Sequence, residues 1–198
     1  MLWFEPPEQL VDWVYCIPKV LSDEDILFIE DYAKNNQSKF KKAELRTNSD
    51  TPYDDSYRRT KLMFLDDMDY FKNLYKKIIE ATMYSNNVHF KYNISYTEVI
   101  QYGLYHSSEK GFYDIHCDSY LRNTSGFIRK ISSSIMLSDS SEFTGGKFLL
   151  HTGSKPIECP MDKGDMILFP SFLPHSVTPV ETGERKTLVS WTCGPNFV

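Results

Sequence analysis

FYDIHCDSY, residues 112–120, and ILFPSFLPHSV, residues 167–177, decide how this chain reads. Both are rich in the aromatic and aliphatic residues that bounded strands favour. Side chains two apart on a strand share a face, so His116 and Asp118 project together and Cys117 turns to the other side as packing. His175, in the second stretch, adds another imidazole. Two imidazoles and one carboxylate make the ligand set of a non-haem Fe(II) centre. Such a set covers one face of the metal and leaves positions open for small molecules and dioxygen. The first expectation is a redox-active iron site in which His116, Asp118 and His175 are both metal ligands and catalytic residues.

Working outward, TEVIQY, SSSIMLS, GKFLLHT, GDMILFP and TLVSWTC are further strand candidates. Gly145-Gly146, Lys163-Gly164-Asp165 and Thr182-Gly183-Glu184 fall between them as turns. Short strands at this spacing suggest a sandwich or barrel, a double-sheet roll whose mouth lets ligands from different strands converge. Ahead of them the pattern is helical. Ser22 is placed to cap a helix with Asp23, Glu24 and Asp25 in its first turn, and Ile26, Leu27, Ile29, Tyr32 and Ala33 recur at helical spacing until Asn35 and Asn36. A second helix is expected over Met68–Tyr84, with Tyr70, Phe71, Leu74, Tyr75, Ile78, Ile79 and Met83 as its apolar face. The polar run from Arg46 to Arg59, with Pro52, reads as a mobile loop. The expectation is one domain over 1–198, α+β and mainly β. It has a helical front part over about 1–88, packed on one sheet of a jelly-roll core over about 89–198.

Composition narrows the function classes. A chain of 198 residues is long enough to bury a core without disulfides. A net charge of -5 argues against a general nucleic-acid binder. No apolar run is long enough for a bilayer, and MLWFEPPEQL lacks the basic start of a secretory signal. Cys16, Cys117, Cys159 and Cys193 form no CxxC pair and read as free thiols in a reducing, cytoplasmic setting.

The ordered elements of the back half resemble the 2-oxoglutarate and Fe(II)-dependent oxygenases, in their prolyl 4-hydroxylase-like group. These elements are Tyr113 before His116 and Asp118, then Gly145-Gly146, Lys163-Gly164-Asp165, Phe169-Pro170, His175, Arg185 and Trp191. The likeness covers roughly residues 95 to 195, and IPKVLSDEDI at the first helix is also similar to that group. It implies a double-stranded β-helix core, Fe(2+) at the triad, and 2-oxoglutarate and O2 as cosubstrates, with ascorbate as an auxiliary reductant. It further implies that 2-oxoglutarate chelates the iron and sets its far carboxylate on Arg185, whose guanidinium fork matches it. A tyrosine or threonine hydroxyl completes that grip. Tyr102 is the choice, with Tyr105 and Tyr113 as competitors, because QYGLYHSSEKGFYDIHCD is longer here than the family pattern.

The activity this implies is oxidative decarboxylation of 2-oxoglutarate to succinate and CO2, coupled to hydroxylation of an unactivated C–H bond. The expected substrate is a prolyl residue of a peptide or protein. A free amino acid or small molecule is the alternative, and a cupin-like metal protein of other chemistry is the third. An intact Asp118 disfavours a halogenase, and no G-x-S-x-G run supports a serine hydrolase. Partners are expected to exclude nucleic acid and membrane. Loops set substrate choice, and Tyr57, Arg58, Arg59, Arg122 and Arg129 are the side chains there that could line a groove.

Overall fold

The computed structural model describes residues 13–43, 54–119 and 126–196. The N-terminal decapeptide, most of the expected loop over 46–59 and the first part of the 121–130 segment lie outside the described residues.

In chain order the elements are β1 Tyr15–Ile17, α1 Asp23–Asn35, β2 Lys41–Lys42, β3 Arg58–Arg59, β4 Lys61–Phe64 and α2 Lys72–Ser85, which runs on into a π turn over Asn86–Phe90. There follow β5 Tyr96–Thr97, β6 Gln101–His106, β7 Phe112–His116, β8 Phe127–Met136 and β9 Phe143–Gly145. The last are β10 Phe148–Leu150, β11 Ile157–Glu158, β12 Met166–Pro170, β13 His175–Val177 and β14 Val180–Pro195.

The strands form two antiparallel sheets. The larger runs β1-β12-β8-β14-β6-β4-β2, and the smaller β11-β10-β13-β7-β3. This is the expected double-sheet roll. Helix α1 starts where the sequence predicts: Ser22 Oγ accepts the Asp25 amide at 3.2 Å, and the Asp25 carboxylate accepts the Ser22 amide at 2.8 Å. Both free amide ends are thereby satisfied in a capping box. Helix α2 begins at Lys72, later than the predicted Met68. The Asp67 carboxylate accepts the Tyr70 amide at 3.0 Å, and this local turn competes with helix over the first four residues.

The front part is not purely helical, which corrects the sequence reading. β1 pairs with β12, β4 with β6 and β2 with β4 in the large sheet, and β3 with β7 in the small one. Arg58 and Arg59, expected in a loop, are therefore strand residues. Such edge strands are short and charged, so they carry no apolar run to reveal them, and pairing alone defines them.

The two faces of the large sheet bury different cores. On the outer face, Ile26, Ile29, Phe71, Leu74 and Ile78 of the helical layer meet Ile131, Ile135, Met166, Leu168 and Leu188. On the inner face, between the sheets, lie Tyr105, Phe148, Leu150, Ile167, Phe169 and Val177. Along β12 the sides alternate, Met166 and Leu168 outward and Ile167 and Phe169 inward, as a strand packed on both faces requires. No helix among the described residues is long and apolar enough to cross a membrane.

Candidate metal centre

β7 and β13 lie antiparallel with His116 and His175 directly opposite one another. That register puts both rings on the inner face, 4.1 Å apart between centroids. Asp118 lies just past the end of β7 and is 7% exposed. Its amide and that of Ser119 both donate to the Ser171 carbonyl at 2.9 Å, which ties the end of β7 to the loop carrying His175. Asp118 Oδ1 lies 3.8 Å from His116 Nε2, and Oδ2 lies 3.4 Å from His175 Nε2. The candidate ligand atoms all lie within 4.8 Å of one another. Bonds of about 2.1 Å at right angles put neighbouring donors about 3 Å apart, so a small shift closes this set on one octahedral face.

The surroundings fix the tautomers. His116 Nδ1 lies 2.8 Å from the Asp114 carbonyl and His175 Nδ1 2.9 Å from the Leu173 carbonyl. A carbonyl only accepts, so each Nδ1 bears the proton and each Nε2 lone pair faces the site. Burial, with the neighbouring His175, holds His116 down to about 3, so this ring stays neutral. Burial alone would raise the Asp118 carboxyl, but His175, His116 and the Ser132 hydroxyl together hold it below the usual carboxylate range. Ser132 Oγ donates to Asp118 Oδ2 at 2.6 Å and lies 2.9 Å from Ser171 Oγ. The Trp191 indole N–H also favours the anion, without the alignment of a hydrogen bond. Neutral imidazoles and an ionised carboxylate are the forms a divalent metal binds.

Arg185, on β14, is 1% exposed, and its Nε and Nη2 are buried without a hydrogen-bond partner. It makes no ion pair among the described residues. Glu184, its neighbour in sequence, lies 3.5 Å from His106 Nε2. Burial lowers the Arg185 guanidinium from its ordinary value. An unpaired buried guanidinium is costly, and a carboxylate entering the roll would offset that cost through two parallel hydrogen bonds. Beside Arg185, Gly145 and Gly146 hold φ at +73° and +57°, the left-handed region that favours glycine. A Cβ on Gly146 would sit 2.8 Å from Arg185 Cδ.

The tyrosine choice needs correction. Tyr102 belongs to the outer core, edge-on to Phe40, and pairs with Leu188. Tyr105 is cross-strand from Arg185, with the guanidinium carbon 5.3 Å from its ring centroid. The two tyrosines are three residues apart on one strand, so they face opposite ways. The alternation Ile100, Tyr102, Leu104, all in or against the outer core, was the sequence signal. Tyr113 takes another place: its ring lies flat on His116, 3.5 Å between centroids at 15°.

Sequence reasoning did not single out Ser132 and Ser171, because serines within a strand and a loop carry no signal of a carboxylate partner. Arg129, named as a groove residue, donates to Glu98 at 2.8 and 2.5 Å and lies 3.8 Å over the Trp191 ring. Arg122 lies outside the described residues. The remaining histidines have other partners: His89 packs on Tyr15, and His151 Nε2 lies 2.9 Å from Ser176 Oγ.

Comparison with known proteins agrees with this geometry. Residues 99–193 match the family model of the 2OG-Fe(II) oxygenase superfamily. A PKHD-type hydroxylase from Nitrosomonas europaea is 33% identical over 84 residues, 40% of this chain and 37% of that protein, so the chain spans well under half of that relative's length. Among solved structures, a prolyl hydroxylase in complex with a hypoxia inducible factor peptide fragment from Trichoplax adhaerens superposes with a TM-score of 0.73 at 20% identity. It covers 91% of this chain and 83% of that one. A prolyl-4-hydroxylase from Pseudomonas putida gives 0.71 at 15% identity, covering 94% of each chain. Residues 99–193 thus carry a motif similar to that of the 2OG-Fe(II) oxygenase superfamily, on a jelly-roll fold like that of the prolyl hydroxylases on which it superposes.

Proposed function

We propose that this protein is a 2-oxoglutarate- and Fe(II)-dependent dioxygenase that hydroxylates an unactivated C–H bond, with a prolyl residue of a peptide or protein as substrate. The observation that carries the cosubstrate is Arg185. A fully buried guanidinium with two orphaned donors is costly, and a carboxylate of the cosubstrate would satisfy it. The prolyl assignment is supported by the hydroxylases to which the chain is similar.

The reaction balances as R–H + 2-oxoglutarate + O2 giving R–OH + succinate + CO2. One oxygen atom enters succinate and the other the product. Fe(II), when bound, supplies the redox chemistry that activates O2. The protein's part is orientation and exclusion of water. His116, Asp118 and His175 would hold the metal, and Ser132 fixes the carboxylate orientation. Arg185, with Tyr105 beside it, positions 2-oxoglutarate from its far end. Phe148 and Phe169, packed against His175, keep the inner cavity dry on that side. Trp191 and Arg129 wall the cavity beside Asp118.

The test is mass spectrometry of proline-containing peptides incubated with enzyme, iron, ascorbate and 2-oxoglutarate. A gain of one oxygen on proline, with succinate in equal amount, is expected. Succinate release stimulated only by a free amino acid or a nucleobase, with no peptide modified, rejects the prolyl assignment.

A further inference from the structure

Four arginines lie on the strands of the two sheets, and they differ in what neutralises them. Arg185 is explained by the cosubstrate. Arg129 is matched by both Glu98 oxygens. Arg59, on the small sheet, spends its donors on the Asp55 and Glu109 carbonyls at 3.0 and 2.9 Å. Arg58 has no such partner. Among the described residues it makes no ion pair and no side-chain hydrogen bond, and its Nε is buried and unsatisfied. Its guanidinium lies over the Tyr113 ring, 4.1 Å from the centroid.

That position is defined by the fold. β3 pairs with β7 so that Arg58 is opposite Tyr113, and Tyr113 lies flat on His116. A cation thus stands one aromatic ring away from a metal ligand, and its charge is felt at both Tyr113 and His116. Tyr57 packs edge-on to Tyr113, and its hydroxyl donates to the Ile115 carbonyl at 2.9 Å, holding β3 against β7. Arg58 is only half-buried on an edge strand, whereas Arg185 is sealed inside the roll. The two are therefore not equivalent seats for 2-oxoglutarate. A cation with a dry, unpaired donor is best satisfied by a planar anion that accepts two hydrogen bonds, which is a carboxylate.

We propose that Arg58 selects the molecule to be oxidised by taking a free carboxylate of that molecule, so the preferred substrate carries a carboxylate beside the C–H bond that reacts. This rests on the oxygenase reading above. Two sources supply the same chemistry: the α-carboxylate of a free amino acid, or an acidic side chain next to the target residue in a peptide.

The experiment uses the full chain, loaded with Fe(II) and 2-oxoglutarate without oxygen, and reads binding by calorimetry. The probes are matched pairs. They are L-proline and L-prolinamide, acetyl-Glu-Pro-Gly-amide and its Gln counterpart, and acetyl-Gly-Pro-Glu-amide and its Gln counterpart. At least one acid is expected to bind about tenfold or more tighter than its amide. The preference should vanish in Arg58→Gln and survive in part in Arg58→Lys, with 2-oxoglutarate affinity equal in all three proteins. The pair that shows it identifies the source. The proposal is overturned if no acid outbinds its amide, including the case where nothing binds. It is also overturned if the preference persists in Arg58→Gln, or if that variant loses 2-oxoglutarate affinity. Failure of the oxygenase reading shows separately, as no succinate release in air while the carboxylate preference in binding stands.

Discussion

The outer and inner faces of the large sheet are built from the same strands and solve opposite problems. The outer face closes against α1 and α2 with Ile26, Ile29, Phe71 and Ile78. Its buried polar groups find partners: the Tyr75 hydroxyl donates to the Leu65 carbonyl at 2.8 Å and accepts the Ile100 amide at 3.0 Å, and Ser133 and Ser190 bond to each other at 2.6 Å. The inner face leaves groups unsatisfied. Arg185 Nε and Nη2 and the Trp191 indole N–H are buried without partners. Folded proteins rarely leave such atoms bare, since each costs about 1–3 kcal/mol. The difference separates a side that closes on itself from a side whose bare donors a ligand would satisfy.

The comparison breaks most sharply if the triad proves structural. His116→Ala, Asp118→Ala and His175→Ala should each abolish iron binding and turnover, with the circular dichroism spectrum unchanged. Ile78→Ala should do the reverse, costing about 2–5 kcal/mol of stability while iron stoichiometry stays the same. A triad variant with full turnover in iron-supplemented buffer ends the metal assignment.

Arg185→Met sharpens the contrast on the inner face. Loss of the guanidinium should weaken 2-oxoglutarate binding by roughly 3–5 kcal/mol, read as its KM or its calorimetric Kd. The same change removes an unpaired buried charge, so the melting temperature of the 2-oxoglutarate-free protein should rise rather than fall. Unchanged cosubstrate affinity would move that seat elsewhere.

Two neighbouring serines give a smaller test. Ser132 faces inward to Asp118, and Ser133 faces outward to Ser190. Ser132→Ala should weaken iron affinity by about 10–100-fold, as loss of a metal ligand's hydrogen-bond partner does. Ser133→Ala should leave it unaltered, and metal titration of the two variants decides. The smallest effect is expected at the tyrosines. Tyr105→Phe should raise the KM for 2-oxoglutarate by several-fold, on the order of 1 kcal/mol, and Tyr102→Phe should not. The opposite ranking would restore the choice that the sequence suggested.

Much of the site was legible before the fold was known. His116 and Asp118 are two apart on a strand and share a face, while the resemblance to the oxygenase family groups them with His175 after Phe169-Pro170 and with Arg185. Ser22 with the acids behind it marked the start of α1. Legibility failed where a residue's role depends on what lies across from it. β3 fell in a run that read as polar loop, because a short charged edge strand has no period of its own.

Arg129 shows the same limit more finely. Ile131, on the outer face, shares its strand parity, so simple alternation would turn Arg129 outward. Between Thr192 paired with Ile131 and Cys193 paired with Arg129, the register shifts and Lys130 becomes an extra residue. That bulge rotates Arg129 inward, over Trp191 and onto Glu98.

The sequence by itself determined the chemistry: which side chains can bind a metal or a carboxylate, and which stretches alternate or turn. Those are local properties of residue type and spacing. Only the tertiary structure decided that Tyr105 rather than Tyr102 shares a face with Arg185, that Ser132 holds Asp118, and that Arg58 stands unpaired over Tyr113. Each depends on strand register, and a shift of one residue in register reverses every side chain on the strand.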